Sequence, residues 1–233
     1  SYFGLFMSKE IESLQNSLST PKKPLLAIIG GSKIRTKIDI LKNLNDKVDT
    51  MIIGGAMANT FLRAKGINIG ASLFESQSID IAKDIINDAK KKNVNLVIPI
   101  DGNVSKSLSM NVVAKNKSIE DIEADDMILD LGVESIKIIL NEVKKAKTVI
   151  WNGPLGAIEY KPFDQATITV AKELARNCKL NNIKVVAGGG DTIYGINLSK
   201  CIEDFTHVST AGGAFLEWLE GKTLPGVSAI LDK

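Results

Sequence analysis

LLAIIGGSKIRTKIDILKNLN, residues 25–45, decides the fold. Leu25 to Ile29 form an apolar run of strand length that ends in Gly30 and Gly31. Ile34, Ile38, Leu41 and Leu44 then fall on one face at helical spacing. The segment therefore reads as a buried strand, a glycine turn and an amphipathic helix over 33–45. The first half of this unit recurs along the chain. TMIIGGAM (50–57), MILDLG (127–132), TVIWNGPLG (148–156), VVAGGGDT (185–192) and THVSTAGGA (206–214) each close an apolar run with small or polar residues. Helical patterns occupy 77–92 (Ile79, Ala82, Ile85, Ile86, Ala89), 134–146 (Ile136, Ile139, Leu140, Val143) and 163–180 (Ala166, Val170, Leu174, Ala175).

Continuous apolar strands alternating with helices predict an α/β fold. The expected architecture is a three-layer, Rossmann-like domain with a six-stranded, mostly parallel sheet and helices on both faces. Core strands are expected at 25–29, 51–53, 96–100, 127–130, 148–151 and 184–188, with a short strand near 205–208 extending the sheet. Residues 101–122 break the alternation and are expected to form a small β excursion. Residues 4–18 read as a helix stopped by Pro21 and Pro24.

Composition narrows the function. The chain has 233 residues, 44% apolar and 24% charged, as expected of a soluble globular protein. The net charge of +2 argues against a nucleic-acid footprint, which needs a clustered basic excess. Cys178 and Cys201 make neither a disulfide framework nor a CxxC metal site, so a reduced, cytoplasmic setting is expected. No apolar run approaches the roughly 18 residues needed to span a bilayer.

Twelve of the 19 glycines stand at the run ends. In an open parallel sheet, ligands bind outside the carboxyl ends of the strands, and glycine there lets backbone amides approach phosphate. In GGSKIRTK, amides near Gly31 and Ser32 and a helix dipole favour an anion, and Lys33 and Lys37, four apart, suit a polyphosphate. The alternative is a tight turn with two solvated lysines. The segment is not a P-loop, which requires GxxxxGK[ST]. In GGGDT (188–192), Asp191 either caps a helix or sits on Mg²⁺ bridging phosphates. In NGPLG, Asn152 offers a donor to phosphate and Glu159 an acceptor for ribose hydroxyls; otherwise this is a proline-containing turn with a surface glutamate. STAGGAFLEWLEG (209–221) puts small residues at a helix N-terminus, as an anion site or for close packing. His207, the only histidine, lies in an expected strand and reads as structural.

Taken in order, GGSK…K, MIIGGAMANTFL, GASLFE, VIWNGPLGAIE, GGGDT, HVSTAGG and LEGKTLPGV resemble the phosphoglycerate kinase family over its C-terminal, nucleotide-binding domain. They cover nearly the whole chain. The resemblance implies three regions: an interdomain helix at 1–20, a nucleotide-binding α/β domain at 21–221, and a tail at 222–233 returning to an N-terminal domain that this sequence lacks. It implies reversible, Mg²⁺-dependent phosphoryl transfer between 1,3-bisphosphoglycerate and ADP, giving 3-phosphoglycerate and ATP. A chain without the N-terminal domain would bind ADP or ATP as a monomer but turn over weakly or not at all. Lys33 and Lys37 would hold the phosphates. Gly31, Ser32, Gly55, Leu73 and Leu129 would border the adenosine. Asn152, Gly153, Pro154 and Leu155 would line phosphate and ribose, with Glu159 on the ribose. Asp191 would hold Mg²⁺ beside Gly188, Gly189, Gly190 and Thr192, and Gly212 and Gly213 would present amides to the transferring group.

Four departures from the family pattern stand out: Ala56, Ala211 and Ile128 replace frequent glycines, and 101–118 supplies no adenine-side aromatic. Without a partner domain, Val227, Ile230 and Leu231 of the tail should be mobile or packed on a neighbour. The alternative function is a non-catalytic adenine-nucleotide module. A dinucleotide dehydrogenase would need GxGxxG, which the chain lacks.

Overall fold

The structure, a computed structural model, describes residues 21–180, 182–210 and 212–222. The expected helix at 1–20, the residues of the tail from 223 onward, and Ala211 lie outside the described residues.

The first strand, β1 (Leu25–Ile29), is buried along its whole length. Alternate side chains of a strand face opposite ways, so β1 feeds two cores. Leu25, Ala27 and Ile29 join the cluster formed with α1 (Ile38–Asn45), α2 (Gly55–Ala64), α3 (Ile79–Lys91) and α7 (Gly213–Leu219). Leu26 and Ile28 join Val149, Trp151, Val185 and Ala187 against α4 (Val133–Lys145) and α5 (Gln165–Lys179). Fully burying one such aliphatic side chain contributes about 1.5–3 kcal/mol. These unbroken apolar strands make sense only between two helical layers, as the sequence predicts.

The main sheet runs β3-β2-β1-β7-β8-β9, with β2 at Thr50–Ile53, β3 at Asn95–Val97, β7 at Thr148–Asn152, β8 at Lys184–Gly188 and β9 at His207–Ser209. Every pairing in it is parallel. Counting only its own strands in chain order gives 3-2-1-4-5-6, the doubly wound order. The order reverses between β1 and β7, whose register runs from Leu25 opposite Thr148 to Ile29 opposite Asn152. The crevice at their carboxyl ends is where such sheets bind ligands.

Two expectations need correction. The run at 127–130 is not a core strand of this sheet. As β6 (Met127–Leu131) it pairs antiparallel with β4 (Asp101–Ser105), which also holds β5 (Lys115–Ser118), in a separate three-stranded sheet. MILDL resembles a buried run, but Met127, Ile128 and Leu129 are only half-buried and Asp130 is fully so. Its place as sixth strand falls to β9. The expected excursion in 101–122 is this small sheet. The strand expected at 96–100 is shorter and ends at Val97, ahead of Pro99.

The helix expected over 33–45 begins only at Ile38. Residues Arg35–Lys37 form a 3₁₀ turn, and Lys37 leaves helical geometry at φ −128°, ψ 10°. Lys33 and Lys37 therefore do not share one α-helical face. Ile34, Thr36 and Ile38 are β-branched and crowd a first turn, while Lys37 is drawn back onto the strand ends. The other helices match their patterns. Trp218 is buried and stacks on Phe215 with ring centroids 5.7 Å apart. Cys178 and Cys201 are free thiols, and half-buried His207 pairs with Val186 in the sheet.

Candidate nucleotide site

The loops at the switch point are bonded to one another. Gly30 N donates to Asn152 O at 2.9 Å, Gly31 N to Pro154 O at 3.0 Å, and Gly55 N to Leu155 O at 2.9 Å. Gly153 N donates to the Thr192 hydroxyl at 2.6 Å. Buried amides require partners, and adjacent parallel strands bring these loops together. The expectation that the Gly31 amide faces an anion is therefore corrected: it is spent inside the protein. Asn152 is partly engaged in the same way: its Nδ2 donates one N–H to Gly188 O at 2.8 Å, while its buried Oδ1 has no hydrogen-bond partner.

Space explains most of the glycines. A Cβ on Gly30 would stand 2.0 Å from Pro154 O, on Gly54 2.4 Å from the Leu155 side chain, and on Gly188 2.5 Å from the Phe215 ring. A Cβ on Gly190, Gly212 or Gly213 would meet nothing within 4 Å. The first three permit close packing, and the last three border open space. Gly189, with φ +99°, turns the chain from β8 into α6 (Gly190–Leu198).

Lys37 lies at the centre of this junction. Its ammonium donates to Gly30 O at 2.6 Å and is 3.3 Å from Asn152 O. Burial pushes its pKa down to about 8, while the Asp191 carboxylate opposes the shift. A half-buried cation whose hydrogen bonds go to carbonyls favours a nearby anion, because fewer solvent dipoles offset its charge. Lys33 is exposed.

Beside the junction opens a cavity of about 230 Å³. Eight expected residues line it: Gly31, Ser32, Gly55, Leu73, Leu129, Pro154, Glu159 and Asp191. Its polar residues come from the ends of β1, β7 and β8. Its apolar wall comes from Leu73, from Leu108 in the β4–β5 loop, and from Met127, Ile128 and Leu129 of β6. Leu73 is 61% and Leu108 41% exposed, large apolar side chains left open at the cavity. Ala56 and Ile128, two of the departures, also border it, as does Tyr160. Among the described residues Lys33, Lys37, Asn152, Gly153, Leu155, Gly188, Gly189, Gly190, Thr192, Gly212 and Gly213 do not line it. Gly153 and Thr192 brace the junction, and the open glycines mark where the surface is bare.

Asp130 went unnoticed in the sequence. It lies behind the NGPLG loop, accepting from Leu131 N at 2.9 Å and Ala166 N at 3.0 Å. Burial raises its pKa to about 8, with nearby Asp164 adding to the shift, against those amide bonds. A Cβ on Gly156 would stand 2.2 Å from its Oδ1, so the loop rests directly on this carboxyl. The signal was a polar residue within the apolar run MILDL.

A family model described as Phosphoglycerate kinase matches residues 1–222. The phosphoglycerate kinase of Caulobacter vibrioides (strain NA1000 / CB15N) is 49% identical over 229 residues. That of Methylorubrum extorquens (strain PA1) is 47% identical over the same length. Each alignment covers 98% of this chain, and 58% and 57% of the respective relative. The structure of phosphoglycerate kinase from Coxiella burnetii superposes with a TM-score of 0.94 at 40% identity, covering 98% of this chain and 58% of that one. The enzyme from Pyrococcus horikoshii OT3 superposes with a TM-score of 0.76 at 25% identity, covering 98% and 56%. The chain thus spans rather less than three-fifths of the length of these relatives.

Proposed function

The chain belongs to the phosphoglycerate kinase family, and from that premise we propose that it carries the nucleotide half of a reversible phosphoryl transfer between 1,3-bisphosphoglycerate and ADP. The observation that supports this most directly is the cavity at the sheet's switch point, apolar toward β6 and lined on its charged side by Glu159 and Asp191, with Lys37 behind that lining within the field of Asp191. The base lies against Leu73, Leu108 and Leu129, and the ribose hydroxyls donate to Glu159. The phosphates run toward Lys37. Its Nζ exchanges the carbonyls of Gly30 and Asn152 for phosphate oxygens or shares itself among them. Lys33, exposed at the same edge, reaches the outer phosphate, and the backbone at Gly212 and Gly213, where a Cβ would meet nothing within 4 Å, borders the transferring group.

Transfer to ADP forms a bond between a terminal phosphate oxygen and phosphorus, and breaks the acyl-phosphate P–O bond, leaving a carboxylate. The attacking oxygen is already ionised, so no general base is required. The residues act by positioning and charge neutralisation. Asp191 suits Mg²⁺: it is an exposed, hard oxygen donor on the cavity, and Mg²⁺ takes one or two carboxylates with substrate phosphates. Mg²⁺ held there would supply neutralising charge to the polyphosphate.

Titration calorimetry with MgADP tests the nucleotide site, and failure to bind would overturn it. Lys37→Ala should weaken ADP binding while leaving adenosine affinity nearly unchanged. A coupled kinase assay on this chain tests the division of labour: we expect little or no turnover, and full-rate turnover would refute it, because the acyl-phosphate substrate would then need no residues beyond these.

A further inference from the structure

Ile128 separates two spaces. One is the cavity at the switch point; the other is an inner void of about 10 Å³ bounded by Ala58, Asn59, Leu62 and Asp101. That volume is near the least that admits one water. Gly55, Ile128 and Leu129 line both spaces and form the partition. Of the three, Ile128 is the one whose side chain is seated on the neighbouring strand, and its position is fixed from two sides. Its backbone N–H donates to the buried Ser72 hydroxyl at 2.8 Å. Its Cγ2 packs over Gly102 on the neighbouring strand, where a Cβ would come within 2.7 Å. The pairing of β4 with β6 is irregular between Asn103 and Val104, beside this contact.

We propose that Ile128, seated on Gly102, is a specificity-determining residue that sets the depth of the base-binding end, admitting an unsubstituted purine and rejecting one extended along the edge that meets it. The inference rests on the nucleotide reading above. The apolar wall around Ile128 consists of Leu73, Leu108, Met127 and Leu129, so depth rather than hydrogen bonding selects the base here. Removing the side chain would join the inner void to the cavity. Adding a methyl at Gly102 would push Cγ2 out of its seat and into the base site.

Calorimetry separates these effects, using MgADP, N6-benzyl-ADP and 2-methylthio-ADP with four proteins: the chain as it is, I128A, G102A and the double variant. The affinity of I128A for at least one extended analogue, relative to ADP, should rise by about tenfold or more, the scale set by one or more methylenes in an apolar pocket. G102A should weaken ADP binding, and adding I128A should restore it, which a merely structural role for Gly102 would not produce. Thermal melts report folding, and I128V should shift the preference in the same direction by less if I128A does not fold. An unchanged preference in the Ile128 variants, or loss in G102A that I128A fails to relieve, would overturn the inference. Failure of the unaltered chain to bind ADP would instead overturn the nucleotide reading, and the inference with it.

Discussion

Binding of MgADP should take up a proton near pH 8, and Lys37 should be the group that takes it. In the free chain burial lowers the Lys37 pKa to about 8 from its ordinary 10.5. Polyphosphate oxygens beside the ammonium favour its charged form and raise the pKa in the complex. Between the two pKa values the complex holds more protons than its free components, so affinity falls as pH rises. With a free-state pKa of about 8, roughly nine-tenths of Lys37 is protonated at pH 7 and about one-tenth at pH 9, so affinity should drop by about tenfold across that interval. Calorimetry in two buffers of different ionisation enthalpy counts the protons directly. About half a proton should enter per ADP bound at pH 8, and about 0.9 at pH 9. Lys37→Gln should bind more weakly and lose the uptake. Binding without proton uptake at pH 9, or equal uptake in the variant, would refute the assignment. The same shift bears on stability, with the opposite sign to a lysine that gains a partner. The folded pKa lies below the unfolded one, so the unfolded chain binds more protons between pH 8 and 10.5, and stability rises with pH there. Below pH 8 the burial penalty is fully present, of order 3 kcal/mol.

Other outcomes follow from neighbouring groups. Asp191→Asn removes the charge that holds Lys37 up, so the midpoint of the pH-dependent binding should move to lower pH, and Mg²⁺ should enhance ADP binding less. Asp130 has its folded pKa raised to about 8 from 3.8, so its stabilisation is complete below about pH 4 and lost as pH rises through 8. Denaturant midpoints should decline with pH across that window, and Asp130→Asn should flatten the decline. Gly30→Ala forces a Cβ to 2.0 Å from a backbone carbonyl and should destabilise by about 2 kcal/mol or more in urea unfolding. Gly190→Ala meets nothing within 4 Å and should change stability by no more than about 0.5 kcal/mol.

The α/β class, the paired helical layers and most of the cavity lining are legible in the chain, because each follows from local periodicity. Leu25 to Ile29 alternate between two cores, and no polar face interrupts them, so helices must cover both sides. The turns after β1, β7 and β8 carry Gly31, Pro154 and Asp191, and these do meet at one cavity. Strand partnership is another matter. MILDL looks like a core strand by composition, yet hydrogen-bonds antiparallel to β4 in a second sheet, since nothing in five residues states which edge they join. Only tertiary structure decides the tasks of individual atoms. The Gly31 amide is consumed by Pro154 O and one N–H of Asn152 Nδ2 by Gly188 O, because buried donors must be satisfied wherever the loops happen to meet. Lys37 becomes a cation with a lowered pKa, rather than one of two solvated lysines, because two strand ends far apart in the chain, at Gly30 and Asn152, close their carbonyls around it. The sequence by itself determined that glycine-ended strands gather at the carboxyl edge of a parallel sheet, which is where a ligand is to be expected. The packing of distant segments decided which groups remain free to meet it and at what pH.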